Sequence, residues 1–160
     1  MVSVITTPVI DALLAVHVLA ACIWVGGTVA LVFVAVPPVQ RLTGEQRAQL
    51  LRELGRRWRP IGWSALGVAV LTGLPLAHHD GAFDGAPTSF DSVLAVKGLA
   101  VGLLVAGAYL HDYVLGPGLA QQIREGRPQS LRPILTSIGR VNLVITLALP
   151  VLGVVLGELA

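Results

Sequence analysis

The sequence predicts an all-α integral membrane protein, a four-helix bundle forming one domain over residues 1–160, and three observations predict it. The first is composition: 54% of the residues are hydrophobic and only 12% are charged, whereas a soluble domain carries about 25% charged residues. The mean hydropathy of +0.78 points the same way. The second is the presence of four apolar runs, at about 12–36, 60–77, 92–115 and 134–157, that reach or approach the roughly 20 residues a spanning helix needs. The third is the segregation of the basic residues. Arg41, Arg47, Arg52, Arg56, Arg57 and Arg59 lie between runs one and two, and Arg124, Arg127, Arg132 and Arg140 lie between runs three and four or just inside four. Only Lys97 lies elsewhere, and the 78–91 loop carries Asp80, Asp84 and Asp91 with no Lys or Arg.

Each element follows from these observations. The first run is too long for a signal-peptide core and lacks a basic leader, so it is expected to be a retained span. The second is short, with Pro75 near its end. The positive-inside rule places both basic loops in the cytoplasm, with the two termini and the 78–91 loop outside. That orientation implies a multi-pass protein of the cytoplasmic (inner) membrane. The pI near 9.2 reflects these flanking arginines, so nucleic-acid binding is excluded along with soluble hydrolase chemistry.

Within the first basic loop, "TGEQRAQLLRELGRRWRP" places Thr43 and Gln46 at capping-box spacing. Leu50, Leu51, Leu54 and Trp58 follow at helical spacing among arginines, which predicts a short amphipathic helix on the inner leaflet. Gly98 with Gly102, and Gly153 with Gly157, are small-xxx-small pairs suited to close helix packing. Association of two or more copies of the chain stays open. No internal repeat is clear. One cysteine, Cys22, and one methionine exclude a disulfide framework, a CxxC metal site and Met-rich copper motifs.

The ionisable residues inside the spans carry the functional reading, because such groups are costly in hydrocarbon. At about 1.5 Å rise per residue, His17 lies roughly 9 Å in from Asp11 and Lys97 roughly 8 Å in from Ser92, so both reach the outer half at similar depth. They are expected to face the bundle interior and each other's helix. His17 suits either an interhelical hydrogen bond or a metal or haem ligand. Trp24 is on nearly the same face, with Ala20 and Ala21 leaving room for a flat macrocycle. Lys97 suits a snorkelling side chain, a neutral amine ligand, or a cation against a propionate. His78 and His79, beside the acidic loop, are interfacial residues or a pair that captures a cation from outside. His111 is expected in an inner-end network with Asp112 and Arg140, or as a second metal ligand.

These residues also carry a resemblance. His17, with Trp24 seven residues later and then Gly26 and Gly27, resembles the first helix of the copper resistance protein D (CopD) family and of the related HemJ-type protoporphyrinogen oxidases, which are small haem b membrane proteins. "RRWRPIGWSALGVAVLTGL" and "SVLAVKGLAVGLLVAGAYLHDYVLGP" resemble the helices that follow. The resemblance covers about residues 10–118. It implies a four-helix membrane bundle. On the CopD side it implies copper homeostasis or transport across the cytoplasmic membrane, with a copper ion as partner. On the HemJ side it implies haem b or a porphyrin, with His17 and Lys97 at the positions tied there to haem binding and activity. The chain departs from copper-rich patterns in its scarcity of Met and Cys. Whether it is an enzyme stays open at this point.

Overall fold

The computed structural model describes residues 3–39, 41–42, 44–82 and 88–159, and every long element among them is helical. Helix α1 (Ser3–Val29) runs through a π-helical segment, Ala30–Ala35, into the short α2 (Val36–Val39). Helix α3 spans Gly44–His79. Helix α4 (Ser89–Tyr109) runs through a second π-helical segment, Leu110–Leu115, into α5 (Gly116–Arg124), and α6 spans Arg132–Leu159. Four of the resulting helical columns are long and apolar enough to cross a membrane: Pro8–Val39, Gly44–His79, Ser89–Ile123 and Arg132–Leu159. Each expected apolar run lies within one of them.

The outward faces confirm the solvent. Leu19, Leu71, Leu99 and Val144, one on each column, are 63%, 71%, 65% and 67% exposed. Apolar surface on every side of a bundle is stable in lipid and not in water. Helix α1 packs along α3, α4 packs along α6, and α1 also touches α6. The two hairpins share one core, in which Trp24, Ala65, Leu66, Leu104 and Ala108 are buried together. A smaller cluster of Ala82, Phe90 and Leu156 closes the opposite end from the basic loops.

The amphipathic segment differs from expectation. It is continuous with the second span in a single 36-residue helix, and Pro60 sits inside that helix. Proline removes only one backbone bond, and the carbonyl it frees, four residues back at Arg56, lies on an exposed residue where water can satisfy it. The expected cap at Thr43 falls outside the described residues. A capping box does open α4: the Thr88 hydroxyl accepts from the Asp91 N–H at 3.3 Å, and the Asp91 carboxylate accepts from the Thr88 N–H at 2.8 Å. Gly81, at φ 87°, ends α3 in a left-handed cap, with the Ala82 N–H donating to the Ala77 carbonyl.

Each π-helical segment is followed by a proline, at Pro37 and Pro117. Proline clashes with the carbonyl four residues back and offers it no N–H. The backbone widens by one residue just before Pro37 and again before Pro117. The Val36 N–H then reaches the Leu31 carbonyl, and the Gly116 N–H reaches the His111 carbonyl. Such π-bulges reset the face that a helix presents.

Candidate functional site

His17 is held on α3. Its Nδ1 lies 2.8 Å from the Ala69 carbonyl oxygen and 3.1 Å from the Thr72 hydroxyl. A carbonyl oxygen only accepts, so Nδ1 carries the proton and donates. The Thr72 hydroxyl spends its own proton on the Val68 carbonyl at 2.7 Å, which leaves its lone pairs facing the imidazole. In the neutral ring Nε2 is therefore the basic nitrogen. This is the arrangement that fixes the tautomer and orientation of metal-bound histidines. The ring rests on Gly73, where an added Cβ would come within 3.0 Å of Cε1, so a larger residue there would press the imidazole off its present position by a few tenths of an ångström.

Lys97 lies beside Gly153 of α6, with Nζ 3.6 Å from where a Cβ would stand. Among the described residues, the one buried side-chain nitrogen or oxygen without a hydrogen-bond partner is Arg59 Nε. No described residue bonds His17 Nε2 or Lys97 Nζ, so both atoms keep accessible surface. The expectation that the two residues would face each other's helix changes in detail. His17 bonds to α3 and Lys97 rests on α6, each within its own hairpin, because the glycine and carbonyl that accommodate them lie there.

Trp24 is structural in its visible contacts. Its indole N–H donates to Thr146 Oγ1 at 3.2 Å across to α6, and its ring lies 6.3 Å from that of Trp58. It is buried, as is Thr146. His78 and His79 are exposed in the last turn of α3. His111 belongs to the second π-helical segment, at the end of the bundle nearer the basic loops. Its Nδ1 lies 3.0 Å from Asp112 Oδ1, and Trp63 donates to Asp112 Oδ2 at 3.2 Å. This network draws in Trp63, and Arg59 stacks over the neighbouring Tyr113 at 5.3 Å. Arg140 is exposed; on α6, Gly139 lies beside His111, whose Nε2 is 3.7 Å from where a Cβ would stand.

The structure thus separates the histidines. His17 lies towards the end of the bundle away from the basic loops, His78 and His79 stand at the α3 end on that same side, and His111 is nearer the basic loops. Among the described residues no three His, Cys, Asp or Glu side chains gather as a metal-binding group. Sequence reasoning missed Thr72, Gly73, Thr146 and Trp63. Thr72 was within reach of the depth argument: seven residues back from His79, at about 1.5 Å each, it sits roughly as deep as His17. Comparison with protein-family models, curated proteins and solved structures finds no match for this chain.

Proposed function

We propose that this chain is a CopD-like membrane protein whose site at His17 would hold haem b, with His17 binding it through Nε2. One observation carries the reading: Nδ1 of His17 is tied to the Ala69 carbonyl and Thr72, while Nε2 has no hydrogen-bond partner among the described residues. The donor count supports haem over a bare ion. A bare copper ion needs several protein donors, and the described residues offer no such group. A porphyrin brings four nitrogens of its own and needs only axial ligands, which a single anchored imidazole can supply. Lys97 Nζ is the second polar group available, either as an amine to the metal or as a cation to a propionate. Bound haem would supply one-electron redox chemistry, which agrees with a HemJ-type oxidase. The bilayer is read as the cytoplasmic membrane, from the bias of arginines to one side.

Copper handling is the second reading, favoured by the exposed pair His78 and His79 at the outer end of α3. An absorption spectrum with metal analysis of the detergent-solubilised protein, expressed with ample haem, separates the two. Iron with a Soret band is the expected result. Copper without a Soret band selects the second reading. Neither metal overturns both and leaves His17 as an interhelical hydrogen bond.

A further inference from the structure

We infer that the chain is a tandem duplication of one helical hairpin, and that His17 and Lys97 are the two copies of a single ligand position, addressing one bound group from opposite sides of a pseudo-twofold axis. The ligand part of this inference rests on the proposed haem site; the duplication does not.

The two halves align without a gap at one offset, 17 to 97. "DALLAVHVLAACIWVGGTVALVFVAVPPV" from Asp11 and "DSVLAVKGLAVGLLVAGAYLHDYVLGPGL" from Asp91 are identical at ten of twenty-nine positions. Matches of Leu, Ala and Val are cheap in apolar helices. The weight falls on Asp11 with Asp91, Gly27 with Gly107, and Pro37 with Pro117. The same offset then aligns polar segments that no hydrophobic bias explains. "EQRAQLLR" at 45–52 and "EGRPQSLR" at 125–132 share Glu, Arg, Gln, Leu and Arg. Pro128 and Gly126 in the second copy account for its turn where the first copy is already helical.

The geometry repeats at the same offset. The π-helical segments Ala30–Ala35 and Leu110–Leu115 are exact counterparts in number and length. Gly27 receives the Trp58 side chain, and its counterpart Gly107 receives that of Asn142. Most telling, His17 rests on Gly73, and Lys97 rests on Gly153, which is the counterpart of Gly73. Each copy holds two spans, so both copies enter the membrane from the same side, and a parallel repeat of this kind is related by an axis along the membrane normal. The copies have diverged where chemistry would require it. Leu31 and Val32 in the first π-helical segment stand where His111 and Asp112 stand in the second. Thr72, which anchors His17, is matched by Leu152 beside Lys97.

The equivalence makes an exchange test. His17→Lys alone is expected to abolish the Soret band. His17→Lys with Lys97→His is expected to restore it, since the imidazole then approaches from the equivalent position. Adding Leu152→Thr recreates the missing anchor and is expected to raise haem occupancy further. An exchange variant that inserts normally yet lacks haem as fully as His17→Lys, in both backgrounds, overturns the shared position. A second readout works without haem. His17→Cys with Lys97→Cys, in a Cys22→Ser background, is expected to form an intramolecular cross-link with a short bifunctional thiol reagent. Two thiols that each react with a monofunctional reagent but never cross-link overturn the inference. A wild-type protein without a Soret band whose cysteines do cross-link refutes the haem reading and keeps the shared position.

Discussion

Gly27 and Gly26 are neighbours with opposite fates on substitution. A Cβ at Gly27 would enter the outer edge of the Trp58 indole, whereas one at Gly26 meets nothing within 4 Å. Trp58 cannot simply swing away. A Cβ on Gly62 of its own helix would come within 2.9 Å of Cε2, and the Trp24 ring flanks it at 6.3 Å. The indole is wedged between two glycines and a second indole. Forcing a methyl group into such a site costs about 1–3 kcal/mol. Alanine gains up to about 1 kcal/mol of helix propensity over glycine, but that gain is small where the unfolded reference in lipid is already helical. Gly27→Ala is therefore expected to destabilise the bundle by about 1–2 kcal/mol, and Gly26→Ala to change it by less than about 0.5 kcal/mol. Reversible unfolding in mixed detergent gives both numbers. Trp58→Leu should remove the clash, so the double variant should lose less than the sum of the singles. Equal effects at the two glycines, or strict additivity with Trp58→Leu, would refute the packing described for α1 and α3.

Three further outcomes follow from the same geometry. Thr146→Val leaves the Trp24 indole N–H without its acceptor in a fully buried position and should cost about 1 kcal/mol in the same unfolding assay; no loss would mean that the bond across α1 and α6 contributes nothing. Glu53, hydrogen-bonded by Arg57 and Arg56, has its carboxyl held below the ordinary glutamate range. Its stabilising contribution is present above the unfolded value near pH 4.3 and is lost as pH falls through the lower folded value, so Glu53→Gln should flatten that acid limb of the melting profile, and an unchanged limb would assign it to other groups. A cysteine at Gly44 should react only with reagent applied from the cytoplasmic side, and reaction only from outside would invert every depth assigned above.

Much of the fold was legible because lipid imposes simple constraints on sequence. Four apolar runs are enough to count the spans, and each appears as one long helical column. The continuity of α3 was not legible, because Pro60 reads as a helix stop in water and is tolerated where the freed carbonyl belongs to an exposed residue, Arg56. The π-helical segments were hidden for a related reason: Pro37 and Pro117 signal a helix end, and only the backbone shows that each helix widens and continues. At the site, His17 and its depth were visible, and its role as a donor to α3 was not. Ala69 contributes a backbone carbonyl, which no side-chain motif encodes. The repeat was obscured by the interchangeability of Leu, Ala and Val in apolar helices, and it emerged once Gly73 and Gly153 were seen under equivalent residues.

The central claim is that His17 presents to haem iron an Nε2 that no described residue bonds. His17→Gly removes that ligand and leaves a space the size of an imidazole between α1 and α3, so the measurement is the absorption spectrum of wild type, His17→Gly, and His17→Gly with added free imidazole. A Soret band is expected in the wild type, with its loss in His17→Gly and its return when imidazole fills the vacated position. A wild-type protein without haem, or a His17→Gly protein that keeps an unaltered spectrum, would contradict it.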